Sequence, residues 1–242
     1  MLNFFRRIRR NLANQNKFVQ YSGYAIGEIV LVVVGILIAL QINNWNEARK
    51  TKIVEFKLLQ NIKTDLKESK NSIEIMVTRN TKQLISYKRL LYCVKNDLPE
   101  TEALNSTFGT IPTWNTPYLN YSAYETLKTK GVDLIQNDSL TNAIINIYDN
   151  EFAYLINDWD KWEWNTNQTI TMPFFVKHFE RDSINLEIAR PNDFKSLKAN
   201  KEFSNLISTL LFLRKKGVTH GNRIGLKVDS LITAIEKELM KS

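Results

Sequence analysis

The sequence is poor in the residues that bridge or break a chain. It has one cysteine, five prolines and eight glycines in 242 residues. A lone thiol, Cys93, cannot form an internal disulfide. Its ordinary role is that of a small apolar filler, with a reactive thiol or an intermolecular bridge as the alternative. Scarce glycine and proline, set against abundant Leu, Ile, Lys, Glu and Asn, argue against a turn-rich β fold and for helices.

Recognised chemistry is missing too. No Gly-x-Ser-x-Gly elbow occurs, and no glycine-rich phosphate loop. The two histidines, His178 and His220, are too few and too far apart for a zinc site, which needs three or four ligands. His178 precedes Glu180 and Asp182, a neighbourhood that suits a base or ligand, but an ordinary exposed histidine is the simpler reading. His220-Gly221-Asn222 reads as a turn. Asp158, Asp160 and Glu163 read as a solvated helix face. No catalytic, cofactor-binding or metal-binding residue is assigned.

Charge of one sign is confined. The net charge is +8, from 33 basic and 25 acidic residues. Residues 1–23 contain Arg6, Arg7, Arg9, Arg10 and Lys17 and no acid, which leaves 28 basic against 25 acidic residues for the remainder. The excess is a juxtamembrane arm suited to anionic lipid. It is not a nucleic-acid groove.

Next to that arm lies a long apolar run. Residues 24–42 are interrupted only by Glu28 and Gln41, each near an end. Nineteen helical residues at about 1.5 Å each span roughly 28 Å, close to the hydrocarbon thickness of a bilayer. Tyr21 and Tyr24 flank one end and Trp45 the other, as an aromatic belt does. Gln41 to Trp45 make a poor cleavage site, so the run reads as an uncleaved signal anchor rather than a signal peptide. Basic residues before the helix slightly outnumber those just after it (Arg49, Lys50, Lys52, Lys57). This places the N-terminus in the cytoplasm and the large domain outside, in a bacterium the periplasm. Gly23, Gly27, Gly35 and Ala39 line one stripe of the helix. They either form a helix–helix contact in a homodimer or reflect the general abundance of glycine in membrane helices. Glu28, an intramembrane charge, either pairs with a basic group or reaches the headgroups.

The block from Tyr24 to Glu47, preceded by Phe4-Phe5-Arg6-Arg7-Ile8-Arg9-Arg10, closely resembles a family of uncharacterised single-pass membrane proteins of Bacteroidota. Tyr124-Glu-Thr-Leu-Lys-Thr-Lys-Gly131, with Leu134, Ile135, Asn137 and the helix from Leu140 to Tyr148, resembles it as well. The likeness implies a bacterial membrane protein with a helical domain. It implies no activity and carries over no catalytic residue.

The fold expected is all-α. A transmembrane helix continues into a long amphipathic helix over 53–96; a loop follows over 97–121, then an antiparallel helical bundle over 122–242. Leu59, Ile62, Leu66, Ile73, Met76, Leu84, Tyr87, Leu91 and Val94 trace a heptad-like seam that slips near Asn80. The seam serves a compact bundle, an intermolecular coiled coil, or both. Ser122-Ala-Tyr-Glu125 has the form of a capping box, and Gly131 that of a helix stop. Asn137 or Asp138 is expected to cap the next helix, with Trp159 and Trp162 turned inward. Asn200 is expected to cap another helix, ending near Gly217. Residues 165–198 show weak periodicity.

Tyr148, Trp159 and Trp162 belong to an aromatic concentration that reads as core or as a groove for a sugar, peptide or quaternary amine. The function expected is non-enzymatic: a membrane-anchored module that senses a ligand or binds another envelope protein. An arm of about 23 residues is too short for an output domain, so a signal would need a partner. The rivals are an envelope hydrolase and a structural assembly factor.

Overall fold

The computed structural model describes the backbone from Phe18 to Lys241 and the side chains from Ser22 onward. The arginines of the basic arm and Lys17 lie outside the described residues. Among the described residues the structure is mostly helical, with one two-stranded sheet. The first helix, α1, spans Phe18–Lys95. It passes through two compact units, Met1–Val54 and Glu55–Ser242.

In the first unit no residue of the apolar run is buried. An 18-residue window there has a mean hydropathy of 2.6 with none of it buried. Leu31 is 73% exposed and Ile29 63%. A core helix of a soluble protein would bury such side chains.

The second unit contains the rest of α1, followed by a 3-10 turn at Glu102–Leu104 and α2 (Asn105–Thr110). The segment expected to be an uninterrupted loop thus carries helix: Leu104, Phe108 and Ile111 are buried and pin it to the core. Next come α3 (Ser122–Lys130) and a helical run, α4, from Asp138 to His178. Within α4, stretches Asn146–Phe152, Leu155–Asp160 and Asn167–Thr171 are π-helical. These wider turns shift the inward face along the helix, which explains the weak 3.6-residue periodicity there. Strands β1 (Phe179–Arg181) and β2 (Ala189–Pro191) pair antiparallel, with Glu180 opposite Arg190. Helices α5 (Phe194–Ala199) and α6 (Lys201–Leu239) complete the chain.

The buried face of α1 follows 3–4 spacing without a slip: Leu59, Ile62, Leu66, Ser69, Ile73, Met76, Asn80, Gln83, Tyr87, Leu90 and Val94 are all buried. The slip near Asn80 that the apolar pattern suggests is a substitution, not a change of register. Asn80 and Gln83 are polar occupants of the seam, while Leu84 and Leu91 are only half-buried beside it. Helix α6 carries the matching seam: Phe203, Ile207, Leu210, Arg214, Gly217, Gly221, Ile224, Val228, Leu231 and Ile235.

Helix α6 therefore does not stop at Gly217, and His220 to Asn222 form no turn. The glycines are there for close approach. A Cβ on Gly217 would lie 2.6 Å from the Trp159 ring, and one on Gly221 would lie 2.5 Å from Val77.

Two of the expected caps form. The Asn137 side chain accepts from the Leu140 N–H, and that of Asn200 from the Glu202 and Phe203 N–H groups. Gly131 ends α3 at φ 100°, a conformation that costs glycine little. The capping box does not form. The N–H of Ala123 instead donates to the Asp65 carboxylate of α1 at 2.7 Å, and that of Ser122 to Asn120 Oδ1 at 3.0 Å. Helix α1 holds the following chain by the same device at Ser72, Ser69 and Glu55, which accept from the N–H groups of Tyr118, Asn120 and Gln136. Loop amides that would be orphaned on burial are satisfied this way.

Candidate functional site

The two apolar clusters of the second unit meet at a polar layer. One cluster runs from Leu58 to Met76 on α1 and includes Trp159 and Ile224; the other includes Tyr87, Phe108, Phe179 and Phe203. Between them lies Arg214, 1% exposed. Its Nε donates to Gln83 Oε1 at 2.6 Å, its Nη2 to the Thr113 carbonyl at 2.5 Å, and its Nη1 to the Glu163 carboxylate. Tyr87 donates to the Thr110 carbonyl at 2.8 Å, and Asn167 to that of Pro112 at 2.8 Å. Helices α1, α4 and α6 thus all grip the segment 110–113. Burial pushes the Glu163 carboxyl above its usual range, against the pull of the Arg214 charge. Glu163 is 2% exposed, so it is an interior ion-pair partner and not part of a solvated face. Its neighbours do differ: Asp158 pairs with Lys216 at 2.6 Å, and Asp160 accepts from Trp114 and Thr116.

Gln83 and Thr113 also form one wall of a cleft of about 390 Å³ that opens to solvent. Arg79, Lys82 and Arg181 line it together with Ser106, Gly109 and Glu187. Arg79 donates to Asn115 Oδ1 at 3.1 Å. Arg181 is fixed by the carbonyls of Leu186 and Gly109, and its guanidinium lies 5.0 Å from the centre of the Phe175 ring. Gly109 is essential to this shape, because a Cβ there would meet the Glu187 carbonyl at 1.9 Å.

The residues singled out from the sequence fall elsewhere. Tyr148 and Trp159 are 1% and 0% exposed. Tyr148 stacks on Tyr124 at 4.4 Å, and the Trp159 indole donates to the Leu213 carbonyl at 2.9 Å. Trp162, instead of turning inward, is 40% exposed and lies beside Phe212 and Lys216. Two of the three aromatics are thus core, and the third faces out. His178 stacks on Phe174 at 4.3 Å, and His220 meets Tyr154 edge-on at 4.9 Å. Among the described residues no His, Cys, Asp and Glu side chains gather in a group able to hold a metal. Gly23, Gly27 and Gly35 lie on α1 with nothing within 4 Å of where a Cβ would stand.

Sequence reasoning missed Arg214, Gln83 and the cleft cations. A signal for Arg214 was present. Four residues after Leu210 and three before Gly217, it occupies a seam position, where a charge is affordable only with a buried partner.

A family model matches residues 28–215. The chain belongs to DUF6090, a family of unknown function. The DUF6090 match takes in most of the apolar run, the whole of the Arg214 layer and the cationic cleft. Comparison with curated proteins and with solved structures returned no match.

Proposed function

We propose that this DUF6090 protein is a single-pass bacterial membrane protein whose helical domain is a non-enzymatic binding module of the cell envelope. The observation that carries the reading is the exposed apolar stretch of α1. Leaving side chains such as Leu31, Leu37 and Ile29 in water costs about 1.5–3 kcal/mol each relative to burial, and among the described residues none of the protein covers them. A hydrocarbon layer removes that cost. Trp45, 67% exposed, follows the run where an interfacial aromatic belongs. The second unit supports a binding role because it carries an open cleft lined by Arg79, Lys82 and Arg181.

The orientation we propose has the N-terminus in the cytoplasm and the domain in the periplasm. A reporter active only in the periplasm, fused after Ser242, should be active. Activity of a cytoplasm-only reporter at that position would reverse the topology. The stripe Gly23, Gly27, Gly35 and Ala39 is the face we propose for a contact between two copies of the span.

A further inference from the structure

Several basic residues of the domain have a carboxylate partner. Lys70 meets Asp229 at 2.7 Å, Lys198 meets Asp97 at 2.5 Å, and Arg223 meets Glu151 at 2.9 Å. What sets the cleft apart is that three cations share it. Arg79, Lys82 and Arg181 line the same cavity of about 390 Å³, and none of them forms an ion pair among the described residues. Lys82 has no hydrogen-bond partner there either. Glu187 is a single carboxylate against these cations. Like charges gathered in a concavity with low-dielectric walls repel one another and focus a positive potential into it.

We infer that this cleft binds a small polyanion, a compact molecule with two or more anionic groups such as a phosphate ester or a polycarboxylate. Three features favour that class. The Arg79 guanidinium is a planar fork matched to carboxylate or phosphate oxygens, and the Arg181 guanidinium, whose Nη1 and Nη2 both turn to the Gly109 carbonyl, adds its charge. Both are held before any ligand arrives, Arg181 by the Gly109 and Leu186 carbonyls and Arg79 by Asn115. Little side-chain freedom is then lost on binding. Lys82 adds a mobile charge, and the Ser106 hydroxyl stands in the wall as a further donor. The cavity is of the size that holds a small ligand. Gln83 and Thr113 join it to the buried layer, since both also bind Arg214. An anion that pulls on either would be felt by α4 and α6.

The inference deepens the binding role proposed above and does not depend on the bilayer. The test is isothermal titration calorimetry of the full chain in detergent, with inorganic pyrophosphate and, separately, citrate. Saturable one-to-one binding of either is expected, weakening as salt is raised. Pyrophosphate alone would mark the phosphate class, and citrate alone the carboxylate class. Arg79→Ala with Lys82→Ala should weaken binding by about tenfold or more, while Lys237→Ala, on the exposed face of α6, should not. Should the double variant lose helix content, Lys82→Ala alone serves, because that side chain anchors nothing. Absence of saturable binding of both anions overturns the inference, as does equal affinity in the cleft variant. A chain that remains in membranes yet binds neither probe sinks this site alone.

Discussion

Arg214→Met should be among the most damaging single substitutions in the domain. Arginine and methionine are both long and unbranched, so the lost interactions dominate over lost volume. Glu163, 2% exposed, would keep a carboxylate with no counter-charge, and the Gln83 side-chain oxygen and Thr113 carbonyl would each lose a donor. Breaking a buried pair in this way costs about 3–5 kcal/mol. In a domain of this size that lowers the thermal midpoint by roughly 6–20 °C. Protonation of Glu163 limits the loss. With its cation gone, the folded-state pKa rises further above the unfolded value. A group shifted that way contributes stability below its unfolded pKa and loses it as pH rises through the folded one. The deficit of Arg214→Met relative to wild type should therefore shrink on acidification. Adding Glu163→Leu should recover part of the loss but not all of it, because the Gln83 and Thr113 acceptors still cost about 1–3 kcal/mol each. Thermal and denaturant unfolding followed by circular dichroism would measure all three. A loss below ~1 kcal/mol for the single variant, or a deficit that deepens in acid, refutes the reasoning.

Other expectations are independent of that pair. Gly217→Ala should destabilise by about 1–3 kcal/mol through its clash with the Trp159 ring, whereas Gly225→Ala, with nothing within 4 Å of the new Cβ, should stabilise α6 by about 0.5–1 kcal/mol; equal effects in denaturant melts would contradict the seam geometry. His220 is held below its ordinary value of 6.5 by burial and by Arg223 and Lys216. Its contribution is thus present above that value and lost as pH falls, because the unfolded chain takes the proton more readily; His220→Phe should flatten the acid-side slope of stability. Gly27→Leu with Gly35→Leu should abolish self-association in a two-reporter membrane assay, and unchanged association removes the proposed dimer contact.

How much of this was legible in the sequence depended on whether a residue's neighbours were local. The apolar helix near the N-terminus, the Gly131 stop and the Asn137 and Asn200 caps depend on neighbours within a turn or two, and as helix, stop and caps they read correctly. The α1 seam was read by apolar residues alone, so Asn80 and Gln83 looked like a slip. Gln83 is held there by Arg214, far along the chain. Gly217 and Gly221 looked like stops because glycine ends helices more often than it admits a tryptophan ring or a neighbouring valine. Ser122 looked like a cap, but the Glu125 N–H bonds the Tyr121 carbonyl, and the first-turn acceptor is Asp65 of another helix, which takes the Ala123 N–H. The π-helical turns of α4 erased the periodicity on which the expected inward Trp162 depended. The cleft was invisible for the same reason as Arg214: Arg79 and Lys82 of α1 meet Arg181 of β1, far along the chain, only around Gly109.

The central claim is that the apolar run of α1 lies in lipid and remains joined to the helical domain. Alkaline extraction of membranes from cells making the full chain tests it most directly. The account predicts that the chain stays in the membrane pellet at full length. Release into the supernatant, or a mature chain that starts beyond Trp45, would contradict it.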